Sequence, residues 1–340
     1  MIENTTQDEI IEQLLNILQE RGKNALELAR KTVLEEEIES KEVKEALTYF
    51  MNEYWNDVTR PAILSLVCEA VGGDPNITTL VAVSIILTSG AIDMHDDIID
   101  ESKNKEERPT VFGKFGKDIA LLAGDALLFK GFTTLYEAVQ KGVSAEKIAI
   151  IIKIIEKSFF ELGDAEALEL QFRGRKNITP EQYIHIVRKK AADVEAYTRI
   201  SAILGDGSKE DIEAFAEYGR LLGMLVILRD DMIDMLSPEE TIHRINNEHL
   251  SLTILFALQN LETKNAISSI LNKKVTKEDA ERLATLVDNG GGFSSVHKYM
   301  QDLSSIALDK IEKAKFNKNN LALLINGMLL PNWRSYLSPK

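Results

Sequence analysis

Only seven prolines interrupt the 340 residues, and between them apolar side chains recur at three- and four-residue spacing with little strict alternation. That pattern predicts helices. Ile10, Ile11, Leu14, Leu15 and Leu18 form one such stripe, Ile148 to Ile155 a second and Ile212 to Leu225 a third, with charged residues beside them. Breaks are expected at Gly72-Gly73-Asp74-Pro75, Ser102 to Pro109, Asn177 to Pro180, Gly205 to Lys209, Ser237-Pro238 and Asp288 to Gly292, where turn-forming residues cluster. Thr179-Pro180-Glu181-Gln182 reads as a helix start: a capping threonine, a proline at the first helical position and a capping-box glutamine. No break is long enough, or biased enough in composition, to be an interdomain linker. The expectation is an all-α protein with residues 1–340 in one large helical bundle.

Composition bounds the partners. With 44% hydrophobic and 28% charged residues the chain can bury a sizeable core, which excludes disorder. Forty Lys+Arg against 54 Asp+Glu give a net charge of −14, so binding to nucleic acid or to an anionic membrane surface is disfavoured. Any polyanionic substrate must then be met by a local device. The lone cysteine, Cys68, lies in an apolar setting, excludes an intrachain disulfide or Cys-rich zinc site, and suits a reducing cytoplasm. Residues Met1 to Asp8 lack the basic cluster and apolar run of a secretory leader, so a cytoplasmic location is expected. The uncharged run Pro75 to Ile92 approaches the length of a membrane span, but its Pro, Asn, Thr and Ser residues fit a buried central helix better. No transmembrane segment is expected.

The chemistry concentrates in one repeated pattern. Asp96-Asp97-Ile98-Ile99-Asp100 recurs 134 positions later as Asp230-Asp231-Met232-Ile233-Asp234. On a helix the first and fifth aspartates share a face, and the second is turned about 100° away. Three like charges within one and a half turns repel one another, so something cationic should offset them. Both clusters interleave with apolar residues and follow apolar segments, unlike a solvated acidic face. Hard carboxylate oxygens without neighbouring His or Cys ligands select Mg2+, which commonly shares its coordination with substrate phosphates. Two such clusters facing each other describe a trap for a diphosphate.

On these motifs the chain resembles the trans-isoprenyl diphosphate synthase (polyprenyl synthetase) family, whose mark is two DDxxD motifs on helices facing a central cavity. The resemblance runs from about Tyr49 to Lys315, through Arg60-Pro61-Ala62-Ile63-Leu64, Cys68 to Gly73, His95 before the first motif, Arg108-Pro109-Thr110-Val111, Phe115-Gly116, Leu122 to Leu128, Glu169-Leu170, Lys190-Ala191-Ala192, Gly223, Arg229 and Gly290-Gly291. It implies an isoprenoid-synthase bundle, a homodimer, and an Mg2+-dependent prenyltransferase. Such an enzyme condenses an allylic diphosphate with isopentenyl diphosphate to a longer all-trans prenyl diphosphate. Carried over residue by residue, it assigns the metal to Asp96, Asp97, Asp100, Asp230, Asp231 and Asp234, and substrate diphosphates to Arg60, Arg108, Lys190, Arg229 and His249. Thr88, Ala91 and Ile92 would form the floor that limits product length; with no aromatic ring among them, products beyond about fifteen carbons are expected.

The second diphosphate site departs from the family pattern. Trp55-Asn56-Asp57 stands where Gly-Gly-Lys is usual, Ser89 where histidine is, and Lys105-Glu106-Glu107 where Arg-Arg-Gly is. Glu166 replaces a glutamine, Ala191 a threonine, Val226-Ile227 a Phe-Gln pair, and His249 a lysine. Lys103, Lys105, Lys114 and Lys117 crowd the loop after the first motif as possible compensation. These departures leave two other readings open: an enzyme that ionises an allylic diphosphate but cyclises it or passes it to another acceptor, and a non-catalytic partner subunit of a prenyl synthase.

Overall fold

The structure is a computed structural model that describes residues 7–105 and 108–329. Glu106 and Glu107, in the acidic replacement noted above, lie outside the described residues. The helices are α1 Gln7–Leu34, α2 Lys41–Tyr49, α3 Thr59–Ala70, α4 Thr79–Ile99, α5 Val111–Phe115, α6 Lys117–Gln140, α7 Ala145–Leu170, α8 Pro180–Lys190, α9 Ala192–Leu204, α10 Lys209–Asp234, α11 Pro238–Asn247, α12 Leu252–Ala257, α13 Leu261–Leu271, α14 Lys277–Asn289, α15 Gly292–Lys310 and α16 Lys318–Asn326. A π-helical turn spans Phe50–Tyr54 and a 3-10 turn spans Pro75–Thr78. The strands among the described residues are two-residue pieces, β1 Asn104–Lys105 and β2 Arg108–Pro109, paired antiparallel. The chain is therefore all-α, as its periodicity requires. The predicted capping box at Thr179 and Gln182 starts α8.

The described residues form two compact units, one lying within Met1–Ile154, Tyr197–Phe215 and Ala314–Leu321, the other within Ile155–Ala196, Ala216–Lys313 and Ala322–Lys340. In the first, α4 is the central element. Its Val81, Ala82, Val83, Ile86, Leu87, Ala91 and Met94 are almost fully buried, and a helix apolar on every side has to be surrounded by protein. Helix α6 packs closely along it because it presents glycines: a Cβ at Gly131 would lie 2.6 Å from Thr88 Cγ2, and one at Gly124 would lie 2.7 Å from His95 Nε2. The same device joins the end of α3 to the turn after α9, where a Cβ at Gly73 would lie 2.3 Å from Gly205 Cα. Cys68 is fully buried on α3, with Sγ 3.4 Å from the Asp74 carbonyl. Burial pushes its thiol up to about 11.

The segment Pro75–Ile99 and helix α6 are each long and apolar enough to cross a membrane, but 67% of the first window is buried inside the protein, as expected of a core helix. The outer face of α6 carries Leu122, Phe129 and Tyr136 at seven-residue intervals, the latter two 75% and 67% exposed.

In the second unit, α12, α14 and α15 pack on one another and α11 and α13 pack on α14. Arg220 of α10 ties three elements together. Its Nε donates to Glu195 of α9 at 2.6 Å, and its Nη1 donates to Glu161 of α7 at 2.8 Å and to the carbonyl of Arg188 on α8 at 2.6 Å. Gly223 brings α10 against the α8–α9 junction, since a Cβ there would lie 2.8 Å from Ala191 Cβ.

The α4–α6 contact gives a direct test. Gly131→Leu should destabilise the protein by about 1–3 kcal/mol through overpacking against Thr88, measured as a lower urea midpoint, whereas Tyr136→Phe, at a side chain 67% exposed on the same helix, should leave the midpoint nearly unchanged.

Candidate active site

Both aspartate clusters sit at the C-terminal ends of helices. Asp96 and Asp97 lie in the last turn of α4 with Asp100 as its C-cap, and Asp230, Asp231 and Asp234 close α10. Neither last turn contains a basic residue. The helix dipole places partial negative charge at these ends, so the carboxylates are doubly unfavourable unless cations come from elsewhere. In both clusters the buried second aspartate sits on a cation from outside its own turn.

In the first cluster Asp97 is 1% exposed. Lys105, on β1, reaches it with Nζ 2.7 Å from Oδ1 and lies 3.3 Å from Asp93. Burial pushes the Asp97 carboxyl up to about 7 despite the neighbouring ammonium. Burial alone would lower Lys105, but Asp93 and Asp97 outweigh it and raise the ammonium above its ordinary range. Tyr54 lies beside the pair; burial first, then the charges of Asp97 and Asp93, push its hydroxyl up. Asp96 and Asp100 are half-buried. His95 on the same turn lies 3.4 Å from Asp125 of α6.

In the second cluster Asp231 is 2% exposed and accepts hydrogen bonds from the Tyr183 hydroxyl and Arg244 Nη1. The Arg244 guanidinium also lies 3.0 Å from Asp234 and 3.2 Å from Glu248. Burial pushes Asp234 up to about 6, with Arg244 opposing and Asp231 adding to the rise. Asp230 is exposed, and Arg229 lies 3.7 Å from it. Next to this group, Glu169 of α7 accepts from both Lys190 Nζ and His249 Nε2, while Glu166 lies 2.9 Å from Lys190. Burial would raise Glu169, but the His249 hydrogen bond and the Lys190 charge hold it well below the usual carboxylate range. The His249 ring also packs at 4.9 Å on Tyr183.

The remaining sequence candidates fall in the first unit. Asp57, where the family pattern has a lysine, accepts backbone N–H bonds from Thr59 and Arg60, each 3.1 Å, and lies 3.2 Å from Arg60 Nη1. Arg60 also lies over the Trp55 ring at 5.6 Å. Arg108 is exposed on β2, with Nη1 3.4 Å from the Glu53 carbonyl. Of the three floor residues, Thr88 and Ala91 are buried, and the Thr88 methyl meets Gly131 of α6. Ile92 shares the helix face of Asp96, one turn away.

Among the described residues no three His, Cys, Asp or Glu side chains gather closely enough to cage an ion by themselves. This donor set fits Mg2+ all the same, because that ion is usually held by one or two carboxylates with water and substrate phosphate completing its shell. Lys105, Tyr183 and Arg244 emerge from the structure as partners of the buried aspartates. Tyr183 is 48 positions from Asp231, and such long-range pairs leave no local pattern. The one available signal was general: an acidic cluster with no cation in its own turn must recruit one.

A family model described as polyprenyl synthetase matches residues 40–287. The short chain isoprenyl diphosphate synthase of Methanothermobacter thermautotrophicus is 31% identical over 264 residues, 75% of this chain and 78% of that protein. The geranylgeranyl diphosphate synthase of Methanosarcina mazei is 34% identical over 192 residues, 56% and 58% of the two chains. Among solved structures, geranylgeranyl pyrophosphate synthetase from Pyrococcus horikoshii superposes with a TM-score of 0.83 at 25% identity, covering 94% of this chain and 98% of that one.

Removing the cation at the second cluster should be costly. Arg244→Met leaves Asp231, Asp234 and Glu248 facing one another and should lower stability by about 3 kcal/mol, read by urea unfolding in EDTA; adding Asp231→Asn should restore part of the loss.

Proposed function

The chain belongs to the polyprenyl synthetase family, and on that premise we propose that this trans-prenyltransferase condenses an allylic diphosphate with isopentenyl diphosphate to a longer all-trans prenyl diphosphate. The observation that carries the proposal is the matched pair of DDxxD helix ends. Each keeps its second aspartate buried on a cation from its own unit and has its first and fifth aspartates on a shared helix face.

Ionisation of the allylic substrate is the difficult step, because diphosphate must leave carbon. Asp96, Asp97 and Asp100 in the first unit, and Asp230, Asp231 and Asp234 in the second, would hold Mg2+ directly or through water, and the ion would supply Lewis-acid neutralisation of that leaving group. Lys105 and Arg244 fix Asp97 and Asp231 against the repulsion of their neighbours, which keeps both acidic turns helical. Lys190 and Arg229 are the cations we assign to the allylic diphosphate, and Arg60 and Arg108 those we assign to isopentenyl diphosphate; His249, expected from the sequence to join them, is 2% exposed with its ring nitrogens on the Leu250 carbonyl and Glu169, and so acts through Glu169 instead. The isopentenyl double bond attacks the allylic cation and a proton is lost from the adduct. Apolar side chains such as Ile92, one turn before Asp96, keep water from quenching the cation. A floor without an aromatic ring allows products beyond about fifteen carbons.

We assign residues 1–340 to one functional domain, place the protein in the cytoplasm, and take the outer face of α6, with Leu122, Phe129 and Tyr136, as the surface against which a second copy packs. Phe129→Asp should convert a dimer to a monomer in sedimentation velocity without loss of helical circular dichroism.

Purified protein with Mg2+, radiolabelled isopentenyl diphosphate and each allylic diphosphate in turn should yield longer labelled prenyl diphosphates. Asp96→Ala and Asp230→Ala should each reduce turnover by at least about a hundredfold with the fold intact. Diphosphate release without incorporation of label would point to a different acceptor. Altered products only with a co-expressed synthase would point to a partner subunit.

A further inference from the structure

We propose that Asp57 is a built-in competitor for the anion-binding donors at the start of α3, and thereby sets a weak affinity for the diphosphate of the second substrate. This rests on the assignment of Arg60 to isopentenyl diphosphate above.

Asp57 is 9% exposed, and its carboxylate takes up the donors at the start of α3. Its Oδ1 accepts the first two backbone N–H groups of α3, from Thr59 and Arg60, and its Oδ2 faces the Arg60 guanidinium at 3.2 Å. Helix-start amides beside a guanidinium are the donors that recognise phosphate.

The surroundings are also arranged for an anion. Arg60 lies on the Trp55 ring, Lys114 lies 3.6 Å from the centre of the Tyr49 ring, and Arg108 contacts the Glu53 carbonyl. Three cations are thus fixed around the aromatic segment from Tyr49 to Trp55. Arg30 braces that segment from behind, with Nε donating to the Met51 carbonyl at 2.7 Å and Nη2 to Asn56 at 3.2 Å. Phe50 and Trp55 stack at 5.3 Å, and Gly90 of α4 leaves them room, since a Cβ there would lie 2.9 Å from the Phe50 ring. The Trp55 ring gives the Arg60 guanidinium a second contact besides Asp57. An incoming diphosphate therefore meets oriented donors whose charge is already offset by one internal carboxylate, and it must displace that carboxylate or bind beside it.

Asp57→Asn tests the charge while retaining the cap, because the amide oxygen still accepts the two N–H bonds. In steady-state kinetics the variant should lower KM for isopentenyl diphosphate by about tenfold, with kcat and the allylic KM changed by less than about twofold. Titration calorimetry with inorganic pyrophosphate in EDTA, without divalent ions, reads the same effect apart from turnover. Asp57→Asn should bind about tenfold more tightly than wild type, and the gain should vanish when Arg60→Ala is added. A folded variant whose pyrophosphate affinity equals or falls below that of wild type would overturn the proposal. Should Asp57→Asn fail to fold, Asp57→Ser, which also caps a helix, is read by the same criterion. If neither wild type nor variant incorporates labelled isopentenyl diphosphate, the proposed condensation fails, and the calorimetric comparison still decides the role of Asp57.

Discussion

Carboxylates at the end of a helix are in the wrong place electrostatically, and this molecule has two sets of them. The dipoles of α4 and α10 point their negative ends at Asp96, Asp97, Asp100 and at Asp230, Asp231, Asp234, so each turn holds only while positive charge lies nearby. Lys105 and Arg244 supply one charge each, to the buried Asp97 and Asp231. Carboxylates gathered at the negative end of a helix are the setting that recruits a divalent ion together with an anionic ligand. The same arrangement explains how a chain of charge −14 can handle substrates of its own sign.

Positioning these helix ends takes close packing in each unit. In the first, Gly124 and Gly131 let α6 lie directly on α4, and the acidic turn continues from that contact. In the second, Gly223 and the buried Arg220 hub hold α10 to its neighbours before it reaches Asp230. Small residues and a buried guanidinium are different solutions to one problem: a helix carrying repelling charges at its tip must be held firmly along its length.

What the sequence disclosed and what it hid divide along the same line. Helices, their breaks at Gly72–Pro75, Asn177–Pro180 and Asp288–Gly292, and the capping box at Thr179 were legible, because each depends on residues a few positions apart. The aspartate pairs were legible for the same reason. Partners distant in sequence were not. Nothing local links Tyr183 or Arg244 to Asp231, and Lys105 reads as one lysine among four in its loop until the β1–β2 hairpin carries it to Asp97. The orientation of Thr88 was equally hidden, since only Gly131 on another helix makes that side of α4 habitable for it. Asp57 reads in the sequence as a mismatch at a lysine position, whereas in the fold it caps α3 and pairs with Arg60.

Cys68 has a practical consequence. It is the one sulfhydryl in the chain, it has no exposed surface, and its thiol is pushed up to about 11, so at neutral pH it is almost wholly unreactive toward alkylating dyes. A cysteine introduced anywhere on the outside would meet a maleimide alone. Spin labels or fluorophores can therefore be installed near the tips of α4 and α10 on the otherwise native background, and their separation followed in solution as magnesium and pyrophosphate are added.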